Sequence, residues 1–129
     1  MNTWEDWVSL ADDDIATAEF LVNNMHPVPA HIVCYLCQQA GEKYLKGYLS
    51  AKTADEPPYT HDIIALRRLC EKYDATFLQL ESASSLLTVF ATKTRYDKGL
   101  EVTESEMKFA IAYAQQIQQF ISQRMPKQS

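Results

Sequence analysis

The stretch AHIVCYLCQQAGEKYLKGYLSAK, Ala30–Lys52, decides how the rest of the chain must fold. At about 100° per residue, a helix over this stretch places Val33, Leu36, Cys37, Ala40, Tyr44, Leu45, Gly47 and Tyr48 on an arc of roughly 180°. Gln38, Gln39, Glu42, Lys43 and Lys46 share the remainder. A helix lying on a protein surface needs an apolar stripe of only about 100°, so this one is expected to be gripped from two sides, as the central member of a bundle is.

The flanking segments supply the other helices. Thr3 followed by Asp6 predicts the start of a helix reaching about Asn24, with Trp4, Trp7, Val8, Ala11, Ile15, Ala18, Leu21, Val22 and Met25 on one face. His26-Pro-Val-Pro29 ends it, because proline lacks the backbone donor and biases its predecessor toward extended conformations. After Pro57-Pro58, Thr60 or Asp62 is expected to cap a short helix to about Tyr73, with Ile63, Leu66, Leu69, Cys70 and Tyr73 inward and Arg67, Arg68 and Lys72 outward. A further helix carries Phe77, Leu80, Ala83, Leu87 and Phe90 and loses its pattern near Thr92. Residues 93–102, KTRYDKGLEV, lack helical periodicity and read as a loop. Thr103 with Glu106 forms a capping box for a last helix packed through Met107, Ala110, Ile111, Ala114, Ile117 and Ile121, ended by Pro126. No segment alternates as a strand would. The expectation is an all-α, up-and-down bundle of about five helices forming a single domain over residues 1–129.

Composition agrees. At 129 residues and 47% hydrophobic the chain is long enough to bury a core without disulfides or metal. Its three cysteines, Cys34, Cys37 and Cys70, fit no disulfide framework and read as buried thiols in a reducing compartment. No apolar run is long enough for a membrane span, and the N-terminus MNTWEDWV lacks the basic-then-apolar order of a signal peptide, so a cytoplasmic location is expected. Residues 1–42 hold seven acids and no Lys or Arg, whereas residues 43–129 hold twelve bases and ten acids. An anion-binding surface must therefore be built from Lys43 onward.

Four pieces together resemble the HEPN domains of prokaryotes. They are an N-terminal helix with Trp7 and Ala11-Asp-Asp-Asp14, then Cys37-Gln-Gln-Ala-Gly-Glu-Lys-Tyr-Leu-Lys46, then Thr60-His-Asp62, then Thr94-Arg-Tyr96. The resemblance spans most of the chain. It implies a helical bundle, usually a homodimer, often encoded beside a minimal nucleotidyltransferase in a two-component, toxin–antitoxin-like module. It also implies that many relatives are metal-independent RNases, whose site pairs an arginine with a histidine that follows after four to six intervening residues. This chain departs there: its histidines are His26, His31 and His61, and Leu100, Glu101 and Val102 stand where that histidine would fall. RNA cleavage through the 2′-OH needs a base and an acid, for which imidazole is suited and a solvated carboxylate is not. The reading is a non-catalytic, nucleotide- or nucleic-acid-associated module partnering a minimal nucleotidyltransferase. The alternatives are a metal-independent RNase built on Arg95 and a structural adaptor with no ligand.

The candidate ligand-binding residues are Arg95, Tyr96, Lys43, Lys46, His61 and Asp62. Arg95 offers a planar fork to a phosphate and Tyr96 a ring for a base; each would otherwise anchor a loop. Lys43 and Lys46 are expected on the exposed side of the central helix, where a solvated face balanced by Glu42 explains them equally. Asp62 suits a helix N-terminus without any further function. No cofactor or metal is expected: Cys34-x-x-Cys37 has no second ligand pair, and Cys37 points into the apolar arc. Asp12-Asp-Asp14 lacks the Gly-Ser phosphate loop of a nucleotidyltransferase and reads as a solvated face or a docking surface for a basic partner.

Overall fold

A computed structural model of the chain describes residues 2–53, 55–96 and 102–126, the side chains of 92–96 excepted. Most of them lie in five α-helices: α1 Trp4–Asn24, α2 Ala30–Lys52, α3 Ile63–Glu71, α4 Glu81–Tyr96 and α5 Glu104–Ser122. No strand occurs among the described residues. The up-and-down, all-α bundle is thus the observed fold. Both expected capping boxes are formed: Thr3 Oγ1 accepts from the Asp6 amide while Asp6 accepts from that of Thr3, and Thr103 and Glu106 repeat the exchange. Asp62, not Thr60, caps α3 by accepting from the amides of Ile64 and Ala65.

Helix α2 is the centre. It packs against each of the other four helices, most extensively against α1, and thirteen of its 23 residues are buried. Two glycines make the approach possible. A Cβ on Gly47 would stand 3.2 Å from Trp7 Cβ and 3.4 Å from the Trp4 carbonyl oxygen; one on Gly41 would stand 3.3 Å from both Ile63 Cδ1 and Leu87 Cδ1. Around this axis Tyr44, Leu45 and Tyr48 meet Ile63, Leu66, Phe77, Leu87, Phe90 and Ile117 in one core. Phe77 lies between Tyr48 and Phe120, with ring centroids 4.5 and 4.9 Å away.

Three details differ from the periodicity reading. The segment after α3 is a 3₁₀ helix, Ala75–Leu80, before α4 begins; its tighter winding aligns Phe77 and Leu80, both buried, on one side. α3 ends at Glu71, so Tyr73 falls in the turn beyond it and is exposed. Arg67 is buried, not outward, and donates to Glu71 at 2.6 Å, while its Nε has no hydrogen-bond partner among the described residues.

All three cysteines are buried, and none is in a disulfide. Burial pushes the Cys37 thiol up to about 12, helped by the negative potential of Cys34, Glu19 and Asp14. It does the same to Cys70, with Arg67 opposing. Thiolate is the reactive species, so iodoacetamide in mildly alkaline buffer should leave the folded protein unlabelled and modify all three thiols in urea; mass spectrometry reads the difference. Replacing Gly47 by leucine drives a side chain into the α1 backbone. It should lower stability by about 1–3 kcal/mol in urea unfolding, the usual range for overpacking a core.

Candidate functional site

Helix α2 carries a second line of residues at four-residue spacing, Gln38, Glu42 and Lys46, which the sequence places on its polar side. They are buried: 0%, 4% and 6% exposed. The expected solvent-facing position of Lys46 is therefore corrected. Its side of α2 faces α1 and the segment leading into α3, and opposite charges placed one turn apart allow that side to be covered.

The Glu42 carboxylate is the hub. Oε2 accepts from Lys46 Nζ at 3.0 Å; Oε1 accepts from Gln38 Nε2 at 3.2 Å and from His61 Nδ1 at 2.9 Å. Gln38 Nε2 also reaches the His61 carbonyl at 3.4 Å, and Gln38 Oε1 accepts from Gln39 at 2.8 Å. The Lys46 ammonium sits 5.6 Å from the Trp7 ring centroid and 6.0 Å from that of Tyr59, so two aromatic faces cover it. The Trp7 indole Nε1 is buried with no hydrogen-bond partner among the described residues.

His61 is where this buried network meets solvent. Its side chain is 50% exposed, and Tyr59, 96% exposed, stands with its ring centroid 6.1 Å from the imidazole. A carboxylate can only accept, so Nδ1 carries a hydrogen and, in the neutral ring, Nε2 presents a lone pair outward. Desolvating two charges costs several kcal/mol and their attraction rarely returns more than that, so such a network adds little net stability. Its effect is to fix the orientation of His61 and to hold Lys46 in place.

The other expected residues distribute unevenly around this corner. Lys46 and His61 come together through Glu42. Lys43 points the other way, pairing with Asp14 at 2.7 Å; burial raises the Asp14 carboxyl, and Lys43 counters it. Asp62 caps α3. Arg95 and Tyr96 belong to the last turn of α4, not to a loop; the expected loop is thereby shortened, and both side chains, like residues 97–101, lie outside the described residues. Among the described residues no three His, Cys, Asp or Glu side chains converge as metal ligands. Sequence reasoning does not single out Glu42, Gln38, Tyr59 or Trp7 as site residues. The available signal is the spacing of Gln38, Glu42 and Lys46, which marks one line along a helix.

Comparison with known proteins places this geometry in context. The family model described as HEPN domain matches residues 4–125. The crystal structure of TT1696 from Thermus thermophilus is similar at a TM-score of 0.77 and 25% identity, covering 97% of this chain and 100% of that one. ST0689, an archaeal HEPN homologue, is similar in fold at a TM-score of 0.76 and 21% identity, covering 98% and 100%. No curated protein matches significantly by sequence.

Removing the hub should be costly in a specific way. Glu42→Ala leaves Lys46 buried and unpaired and should lower stability by about 3–5 kcal/mol in urea unfolding. The triple replacement Gln38→Leu, Glu42→Met, Lys46→Met removes the buried polar groups together. It should recover nearly all of that loss.

Proposed function

The chain belongs to the HEPN domain family, and on that premise we propose that it is a non-cleaving member that binds a nucleotide or a short stretch of RNA. In this reading it acts as a homodimer and partners a minimal nucleotidyltransferase in a toxin–antitoxin-like pair. The supporting observation is the corner in which half-exposed His61, held at Nδ1 by buried Glu42, stands beside the exposed ring of Tyr59. An exposed tyrosine is a platform for a base, and a fixed imidazole is a hydrogen-bond partner for a phosphate or a ribose hydroxyl. Arg95 is assigned the phosphate on the strength of the Thr94-Arg-Tyr96 resemblance, with Tyr96 beside it. Lys46, committed to Glu42, positions the corner, and Lys43 and Asp62 serve α1 packing and the α3 cap.

A second reading is favoured by the same bond. An imidazole oriented by a carboxylate, with its other nitrogen open, is an arrangement suited to proton transfer. RNase activity would then use His61 in place of the histidine missing after Arg95. Attack by a 2′-OH on the adjacent phosphorus needs a base for that proton and an acid for the departing 5′-oxygen. In this corner one protomer offers a single imidazole for both tasks, so the non-cleaving reading is preferred.

The expected outcome is that ATP or a short single-stranded RNA raises the melting temperature of the purified protein. Tyr59→Ala and His61→Ala should each abolish that rise, and Tyr59→Ala, at so exposed a position, should leave the unliganded melting temperature within about 1 °C. RNA incubated with the protein in EDTA should stay intact; cleavage lost in His61→Ala would establish the second reading. No shift with either ligand would leave a structural adaptor.

A further inference from the structure

A groove of about 520 Å³ opens between the start of α1 and the end of α5, on ground that the nucleotide reading does not use. Its walls include Trp4, Val8 and Met125. Three polar side chains meet along its lining, with Asp12 at the exposed edge: Asp12 Oδ1 accepts from the Tyr44 hydroxyl and from Gln118 Nε2, the latter at 3.1 Å. Tyr44 is a fully buried residue of the central helix whose hydroxyl reaches out to Asp12. Burial, reinforced by the hydrogen bond to Asp12 and its charge, raises the phenol well above its ordinary range, so it stays a donor.

We propose that this groove binds a small organic amine, an ammonium group on an aromatic or alkyl body. Among the described residues Asp12 is the only charged one lining it. Among those residues, too, no Lys, Arg or His pairs with it, in contrast to Asp14 two positions on, which holds Lys43. Both donors to Asp12, the Tyr44 hydroxyl and the Gln118 amide, go to Oδ1. That leaves Oδ2 with no donor among the described residues, an anionic acceptor open to an ammonium. The α1 wall has the same sign, since Trp4–Asn24 carries six acids and no Lys or Arg. An acidic wall favours a cation over an anion. The volume suits a small ligand, and an apolar wall with few fixed polar groups is the usual design of such a site. The Trp4 ring adds a face on which an aryl body or the ammonium itself can pack.

The test uses the full chain, labelled with nitrogen-15, titrated with phenethylamine and with its neutral counterpart 2-phenylethanol. The expected result is that phenethylamine shifts the Trp4 and Val8 amides and the Gln118 side-chain amide. The alcohol should bind about five-fold more weakly, the usual size of one exposed charge contact. Asp12→Asn should bring the amine down to the affinity of the alcohol, and added salt should weaken the amine alone. Equal affinity of amine and alcohol for the unaltered protein, shifts confined to other surfaces, or no shift at all would overturn the proposal. The comparison of the two ligands on the unaltered protein holds even where Asp12→Asn disturbs Tyr44.

Discussion

A helix packed against every other helix cannot keep its polar residues in water, and that constraint on α2 shapes everything else. Thirteen of its 23 residues are buried, among them Gln38, Glu42 and Lys46. A buried carboxylate must find partners or be protonated. Here Lys46, Gln38 and His61 supply three donors, and each fixes another part of the bundle. Lys46 is covered by Trp7 of α1, Gln38 also holds the His61 carbonyl, and His61 sets the entry into α3 one residue before the cap Asp62. The polar network thus runs from α1 through α2 to the start of α3, alongside the apolar core and not inside it.

The same constraint separates what the sequence makes legible from what it does not. Helix limits are readable wherever a side chain marks them: Thr3 with Asp6, Asp62, Thr103 with Glu106, and the prolines after Asn24 and Lys52. The core is readable from residues such as Tyr44, Tyr48, Ile63, Leu87 and Ile117, because apolar period alone identifies an inward face. Periodicity does not say how many neighbours a helix has on its polar side. Lys46 and Arg67 read as solvated for that reason, yet both are buried beside a carboxylate one turn away. The end of α4 is hidden for a different reason: Thr92, Lys93 and Thr94 carry no apolar signal, although the helix continues through them to Tyr96.

For the site, the resemblance to HEPN domains directs attention to Lys46, His61, Asp62, Arg95 and Tyr96 without saying how they are connected. Lys46 and His61 are connected by Glu42, a residue that in the sequence looks like a charge balance on an exposed face. Asp62 and Lys43 have ordinary structural work, capping α3 and pairing with Asp14. What remains is a half-exposed imidazole of fixed orientation next to an exposed tyrosine. The acidic first helix adds a second region of opposite character, where Asp12 faces a groove and Asp14 is neutralised. The two regions share α2: Glu42 governs one and Tyr44 reaches the other.

Everything proposed for the His61 corner rests on Glu42 holding the imidazole through Nδ1. Long-range proton–nitrogen correlation spectra of the imidazole, recorded where the ring is neutral, report directly which nitrogen bears the hydrogen. Hydrogen on Nδ1 is predicted for His61 in the unaltered protein, reverting in the triple replacement Gln38→Leu, Glu42→Met, Lys46→Met, which removes the acceptor, to the Nε2–H form usual for a free imidazole. A His61 ring already in the Nε2–H form, with spectra unaffected by the triple replacement, would contradict that role for Glu42.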